Sequence, residues 1–563
     1  MEHRSRSGGR ILADQLAIHG VTTAFGVPGE SYLPLLDALF DREQPIRFIT
    51  CRHEAGAANM AEAAGKLTGR PGVCLVTRGP GATHAAIGVH TAFQDSTPMI
   101  LLIGQVERGM RGRDAFQEIE YRDMFRPMAK WVAEIDSIER IPEFIRRAFS
   151  VAMSGRRGPV VLSLPEDMLF DTGVVQDAPP CGIIDQAVGH DVMERFHAML
   201  SKARRPLMIV GGGTWDDDAK ADIEEFARLW KIPTCCSFRR QDHFDNEHPL
   251  YIGHLPTDTS VAGEIADADL VICVGSRLSE TASIGYTLFA HPSAHQKLVH
   301  VHPGVEELYK TLNPDLTINA APAAFAAAAK GLQPERHRDI SAAADRIAQE
   351  RSAFQAAVPR QTPLDLQTVI RQLRDVLPPD AITASGAGNY SLWLHRFFRW
   401  TKNRTQLAPT SGAMGYGVPA GVCAAILNPQ TPVVIVAGDG CFMMSSQEIA
   451  TAMLYDARPI ILVVNNGKYG TIRGHQERNF PARTIGTELR NPDFAAYARS
   501  FGAFGEVVEA TDEFMPAFRR AQAAGTVAVI ELRISDDVLA PGQTIAAIRA
   551  ASLAARAETA SAH

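Results

Sequence analysis

The apolar residues of this chain come in short runs that end abruptly in polar or glycine-rich turns. Residues 433–437 end in Gly438-Asp439-Gly440, and residues 460–464 end in Asn465-Asn466-Gly467. Apolar runs of that length, without alternation, predict strands buried on both faces of a parallel sheet. Residues 445–455 between them predict a helix. The order strand–helix–strand makes the two strands parallel neighbours, because a crossover helix returns the chain to the same side. Asp439 and Asn466 then share the carboxyl edge of one sheet, where open α/β sheets bind ligands.

The same rhythm runs through the rest of the chain. Strands are predicted at 23–27, 47–50, 73–77, 99–103 and 160–164, with helices at 11–19, from Pro28-Gly29-Glu30 through Phe40, and after Glu54. Residues 176–190 contain adjacent prolines and no periodicity, so they read as a linker. The alternation restarts at 207–210, 270–274 and 298–302, each run ending in glycine or proline. Residues 323–360 are Ala-rich and read as a connector helix that Gln361-Thr362-Pro363-Leu364 ends. A last unit has strands at 381–384, 433–437, 460–464 and 527–532, and residues 545–563 form a helical or frayed tail. The fold class is therefore α/β, with three doubly wound, mostly parallel-sheet domains at 10–175, 191–335 and 364–540.

Composition narrows the function. Of 563 residues, 46% are hydrophobic and 21% charged, as in globular proteins, and a net charge of −7 gives no general basis for binding nucleic acid. No apolar run is long enough for a membrane span. The eight cysteines have no metal-ligand spacing and lie in or beside apolar runs; vicinal Cys235-Cys236 included, they read as buried thiols of a reducing compartment. The first ten residues are basic without an apolar signal core and read as a frayed end. The expectation is a cytoplasmic enzyme with small-molecule substrates and neither a membrane nor a nucleic-acid partner.

The chemistry at 438–467 is specific. One carboxylate and one neutral amide oxygen are hard ligands that suit Mg²⁺, which keeps positions open for water and phosphate oxygens. Gly438 and Gly440 let backbone approach a phosphate, and the helix following Gly440 aims its free N–H groups there. Upstream, Glu54 stands at a strand end and opens a helix of small residues: Ala55, Gly56, Ala57, Ala58, Ala61, Ala63, Ala64 and Gly65. These allow close packing on another helix or on a neighbouring subunit.

GDG followed 26 residues later by NN resembles the thiamine-diphosphate motif of thiamine-dependent decarboxylases and carboligases. The stretches RHEAGAANMAEAAGKLTG, GVCLVTRGPGAT, AFQDSTPMILLIGQV and DAFQE, within residues 52–118, are similar to the pyrimidine-binding domain of the acetolactate synthase (acetohydroxyacid synthase large subunit) family. The resemblance covers roughly residues 10–540. It implies a pyrimidine-binding domain at 10–175, a central domain, and a diphosphate- and Mg²⁺-binding domain at 364–540. It implies that Asp439, the Asn466 side chain and the Lys468 carbonyl hold Mg²⁺. Cofactor contacts implied are Pro28, Gly29, Glu54, Asn389, Tyr390, Gly412, Met414, Gly438, Gly440, Cys441, Tyr469 and Gly470. Met414 would wedge between the cofactor's two rings, and the Gly412 carbonyl would accept from its 4′-amino group. Glu54 would hydrogen-bond N1′ of the aminopyrimidine and so promote removal of the thiazolium C2 proton; an apolar pocket would raise its pKa toward the working range. Gln117 matches a residue reaching the substrate side and Phe116 a pocket wall. His84 is either a proton carrier or a satisfied polar residue.

The resemblance further implies that Glu54 and the metal site come from different subunits, in a homodimer or homotetramer. FAD in the central domain is implied only in part. Gly211–Gly213 and Arg277 match its pattern, but Leu278-Ser279-Glu280, His300-Val301-His302 and the loop GHLPTDTS at 253–260 depart from it. Residues 469–475 should form the far wall of the pocket, and His475 stands where acetolactate synthases carry a Trp that helps select the second oxo acid. Two activities stay open. One decarboxylates a 2-oxo acid and ligates the remaining fragment to a second carbonyl, as lyase and transferase. The other is a 2-oxo acid decarboxylase, aldehyde lyase or C–C hydrolase using the same cofactor.

Overall fold

The structure, a computed structural model, describes residues 5–40, 46–184, 186–290, 294–334, 341–360 and 363–561. The chain forms two compact units, one of Met1–His243 with Glu264–Arg338 and one of Phe244–Gly263 with Asp339–His563.

In the first unit a six-stranded sheet runs in the order Arg47–Thr50, Thr23–Gly26, Gly72–Val76, Met99–Gln105, Pro159–Pro165, Trp131–Glu134. All its pairings are parallel. Its central strands are buried on both faces, which is why their sequences are continuous apolar runs rather than alternating ones. Trp131–Glu134 escaped prediction because it is a four-residue edge strand whose side chains are mostly half-buried. The N-terminal segment corrects the reading of a frayed end. Arg6–Ser7 pairs with Thr172–Gly173, Arg6 is bridged to Asp14 and Asp177, and Ser7 caps the helix Gly8–Ile18. Met1 to Arg4 lie outside the described residues.

The small-residue helix Glu54–Thr68 packs on the helix Pro80–Asp95 of the same chain. A Cβ at Gly88 would lie 2.4 Å from that of Ala58, and one at Gly72 would lie 1.8 Å from the Ala61 carbonyl oxygen. Contact at that distance explains the run of alanines and glycines within one chain. The helix also buries an unforeseen polar group: Lys66 bridges Glu62 and Asp95, and Thr97 donates to Glu62.

Residues 174–184 and 186–189 carry no regular element, as the linker reading expects. The central sheet has six strands. Those belonging to the first unit run Thr234–Cys236, Pro206–Val210, Leu270–Val274, Lys297–Val301, Leu316–Ile318, all parallel. The Ala-rich connector is two helices, Pro322–Lys330 and Ser341–Gln355, and not one; residues 335–340, and Gln361 and Thr362 of the stop signal, lie outside the described residues. Cys235 and Cys236 are fully buried, and of the eight free cysteines Cys181 alone is half-buried.

The second unit carries a sheet in the order Gln406–Leu407, Ile382–Ser385, Val433–Gly438, Ile460–Asn465, Ala528–Arg533, Phe504–Val508, again all parallel. Trp393, Trp400, Phe514 and Phe518 fill its core; burying each such side chain is worth about 2–3 kcal/mol. The tail is a helix, Ile545–Ser561, held to the helix Gly470–Asn479 by Arg549, which donates to Glu477 at 2.9 Å. Among the described residues no helix is long and apolar enough to cross a membrane.

Candidate active site

Register fixes the opening motif. Gly438 pairs with Val464 on the neighbouring strand, so Asp439 and Asn466 emerge together at the carboxyl edge. The Asp439 side chain is held from three sides by neutral donors: Gly440 N–H at 2.8 Å on Oδ1, and Gly467 N–H at 2.9 Å and Asn491 Nδ2 at 2.7 Å on Oδ2. Asp439 is only 3% exposed. Burial raises its pKa above the ordinary carboxylate range, and the N–H donors oppose that rise. A buried carboxylate whose hydrogen-bond donors are all uncharged is left with an uncompensated negative charge. That donor set fits a hard divalent cation.

The two asparagines divide the work by strand alternation. Asn465 turns along the sheet edge, donating to Glu531 at 2.8 Å and accepting from Asn491 at 2.9 Å. Asn466 turns to the pocket, its Oδ1 accepting from Lys468 N–H at 3.2 Å. The Lys468 carbonyl accepts from Gly470 N–H at 2.9 Å, and its ammonium is drawn away to Asp536 at 2.9 Å. Sequence reasoning missed Asn491, which lies 52 residues beyond Asp439. No local motif signals it; residues 487–491 reach the site because Tyr469 N–H donates to the Thr487 carbonyl and Leu489 N–H to the Gly467 carbonyl.

Around this edge lies a pocket of about 260 Å³ lined by Asn389, Tyr390, Gly412, Met414, Gly438, Asp439, Gly440, Cys441, Asn466, Lys468, Tyr469 and Gly470 together with Trp393, Thr471, Ile472 and Leu539. The structure thus brings together every diphosphate-side residue predicted from the sequence. Several have further contacts. Gly438 and Gly440 also lie against aromatic rings: an added Cβ would lie 2.6 Å from the Tyr390 ring and 2.5 Å from the Tyr469 ring. The expected helix after Gly440 starts at Asp439 and lasts only to Met443; a 3₁₀ turn Ser446–Glu448 and the helix Ile449–Leu454 follow. Cys441 Sγ accepts from the Tyr390 hydroxyl and from Gly415 N–H, both at 3.2 Å, which ties the loop carrying Met414 to the sheet edge. Asn389 is locked to Thr471, whose hydroxyl donates to its Oδ1 at 2.9 Å. Of 469–475, only Tyr469 to Ile472 line the pocket. Arg473 instead pairs with Glu477 and Glu488, Gly474 is buried, and His475 is exposed on the helix.

Pro28, Gly29, Glu54, His84 and Gln117 lie in the other compact unit and are not in that lining. Glu54 is the first residue of its helix, and His53 caps it, Nδ1 accepting from Ala55 N–H at 3.0 Å. Gly29 packs on Thr77, where a Cβ would lie 2.6 Å away. Gln117 has φ +65°, and its carbonyl crowds Gly79; Phe116 beside it is 74% exposed. The central-domain glycines have a structural use: a Cβ at Gly212 would lie 1.9 Å from the Gly275 carbonyl oxygen. Arg277 donates to the Gln94 carbonyl at 2.7 Å. Gly212 and Arg277, which match an FAD pattern in part, thus also have structural contacts within the chain.

Three family models match successive parts of this chain: the N-terminal TPP binding domain of thiamine pyrophosphate enzymes over residues 6–124, their central domain over 193–329, and their C-terminal TPP binding domain over 386–532. The chain belongs to the thiamine pyrophosphate enzyme family. Within it, similar proteins are acetolactate synthases. The isozyme 2 large subunit of Escherichia coli (strain K12) is 30% identical over 90% of this chain and 92% of its own length. A probable acetolactate synthase large subunit of Methanocaldococcus jannaschii is 30% identical over 91% and 89%. The large subunit of Corynebacterium glutamicum is 31% identical over 92% and 84%.

Proposed function

We propose that this protein is a thiamine-diphosphate- and Mg²⁺-dependent enzyme of the acetolactate synthase type, which decarboxylates a 2-oxo acid and ligates the remaining fragment to a second carbonyl compound. The observation that carries the reading is the buried Asp439 carboxylate, surrounded by uncharged donors and set beside Asn466 and the Lys468 carbonyl in one pocket. Thiamine diphosphate supplies an acidic carbon that adds to a 2-oxo acid carbonyl and accepts the electron pair released with CO₂. In this reading Asp439, Asn466 and Lys468 hold Mg²⁺ and, with it, the diphosphate. Asn491 and Asn465 orient Asp439, as second ligands orient the first in metal sites. Met414 would pack against the cofactor's rings, and the Gly412 carbonyl would accept from its amino group. Glu54 of a partner copy holds the proton at the aminopyrimidine nitrogen, which makes the working unit a dimer or tetramer. The exposed Phe116 agrees with a surface completed by another copy. A cytoplasmic location accompanies this reading, and no step uses FAD.

One observation favours a second reading, a 2-oxo acid decarboxylase or aldehyde lyase with the same cofactor. His475 is exposed and outside the pocket lining, so the wall that selects a second oxo acid in acetolactate synthases differs here. The test is direct. The protein is given thiamine diphosphate and Mg²⁺ with a panel of 2-oxo acids, CO₂ release is measured, and the organic product is identified. Acetolactate from pyruvate supports the first reading, aldehyde alone the second, and no CO₂ from any acid overturns both.

A further inference from the structure

Glu54 is not alone at its strand end. Its Oε2 lies 2.9 Å from Nδ1 of His84, which projects from the Pro80–Asp95 helix. The start of that helix is fixed by the Gly79 N–H, which donates to the Tyr121 hydroxyl at 2.9 Å. The Glu54 side chain is 14% exposed and that of His84 50%, so the pair faces outward from an ordered base. Among the described residues, Glu54 Oε1 has no hydrogen-bond partner. The His53 ring packs on the His84 ring at 4.4 Å between centroids. His53 Nδ1 accepts the capping N–H of Ala55, so the proton of the neutral ring is on Nε2. Burial, and then the neighbouring His84, lower the His53 pKa. The other titratable groups that feel the Glu54 charge are Tyr32 and Cys74, and burial pushes both up into their neutral forms. Among the described residues, the His84 ring is the side chain seen within hydrogen-bond distance of this carboxylate.

We propose that His84 is a positioning residue for Glu54: its Nδ1–H holds Oε2, turns Oε1 outward, and steadies the carboxylate when the Oε1 proton passes to the ring nitrogen of the bound aminopyrimidine. The inference rests on the cofactor reading above. With the cofactor bound, Oε1 would give its proton to that nitrogen and take it back at the end of the cycle, while His84 would keep its own proton and donate to Oε2 throughout. A charge-assisted hydrogen bond of this kind strengthens as the carboxylate becomes anionic.

Two measurements test this. In apo-protein labelled with ¹⁵N at histidine, the His84 ring signals are assigned by their absence in His84→Asn. In wild type they should report the tautomer protonated on Nδ1, which donates to Glu54 Oε2, and in Glu54→Ala that preference should be lost. The same tautomer in the two proteins overturns the inference without reference to any activity. With thiamine diphosphate and Mg²⁺ bound, exchange of the cofactor's C2 proton should fall roughly 10-fold in His84→Ala. It should recover to within about 3-fold of wild type in His84→Asn, whose amide N–H replaces Nδ1–H. A His84→Ala protein with the wild-type rate sinks the role of His84 and leaves the cofactor reading standing. A Glu54→Gln protein that exchanges at the wild-type rate sinks the reading of Glu54 itself.

Discussion

The sheets of residues 23–165 and 382–533 are the same topology twice. Counted along the chain, the strand order in each is 2-1-3-4-6-5, with every pairing parallel. Their carboxyl edges nevertheless do opposite things with a carboxylate. In the later sheet, Asp439 is 3% exposed and gripped by three neutral N–H groups. In the earlier one, Glu54 is partly open, with one oxygen on a half-exposed histidine. A carboxylate immobilised by neutral donors suits a fixed cation, whereas one with a free oxygen and a titratable neighbour suits moving a proton. The fold supplies the ledge; the two or three residues that follow each strand decide what is done on it.

That contrast can be broken from either side. The largest effect is expected at the proton-handling end: Glu54→Gln should fold normally and slow exchange of the cofactor's C2 proton by about 10²–10⁴-fold, read by deuterium exchange in the loaded enzyme. At the gripping end, Asn491→Ala removes a donor from Asp439 without touching the pocket lining, and Mg²⁺ affinity should fall by about 10–100-fold in a cofactor-binding titration. An Asn491→Ala protein with unchanged affinity would mean that the grip on Asp439 is irrelevant to metal. Gly438→Ala places a methyl group against the Tyr390 ring and should cost about 1–3 kcal/mol of stability, seen as a lowered Tm.

The smallest effect lies at the periphery of the later sheet. Arg549 and Arg473 hold the Glu477 carboxyl at about 2, well below the ordinary range. A depressed folded-state pKa contributes stability above the unfolded value of about 4.3, and that stability is lost as pH falls toward about 2. The Tm gap between wild type and Glu477→Gln should therefore be constant near neutrality and close through that acid window. A gap that stays open at the acid end would show that the ion pair does not hold the tail helix.

Most of the strands and the diphosphate-side residues were legible in the sequence, because buried parallel strands write themselves as apolar runs and their ends as GDG and NNGKYG. The four-residue edge strand Trp131–Glu134 was not, since its pattern is set by where it pairs. The small-residue helix was legible as a close packer but not as to its partner, which proved to be the Pro80–Asp95 helix of the same chain. The glycines of the GDG motif were legible as places where backbone can be approached closely, but not that tyrosine rings lie against both.

By itself the sequence determined three parallel α/β layers, the order of their elements, and which carboxylates stand at strand ends. These are local properties: runs of side chains, turn residues, and spacing along the chain. Only the tertiary structure decided what surrounds each carboxylate. Asn491 reaches Asp439 across 52 residues, His84 reaches Glu54 across 30, and Glu477 is held by an arginine 72 residues away. Hydrogen bonds and charge act through space over a few ångströms, so the partners that tune a buried group are fixed by folding and leave no mark on its neighbours in the chain.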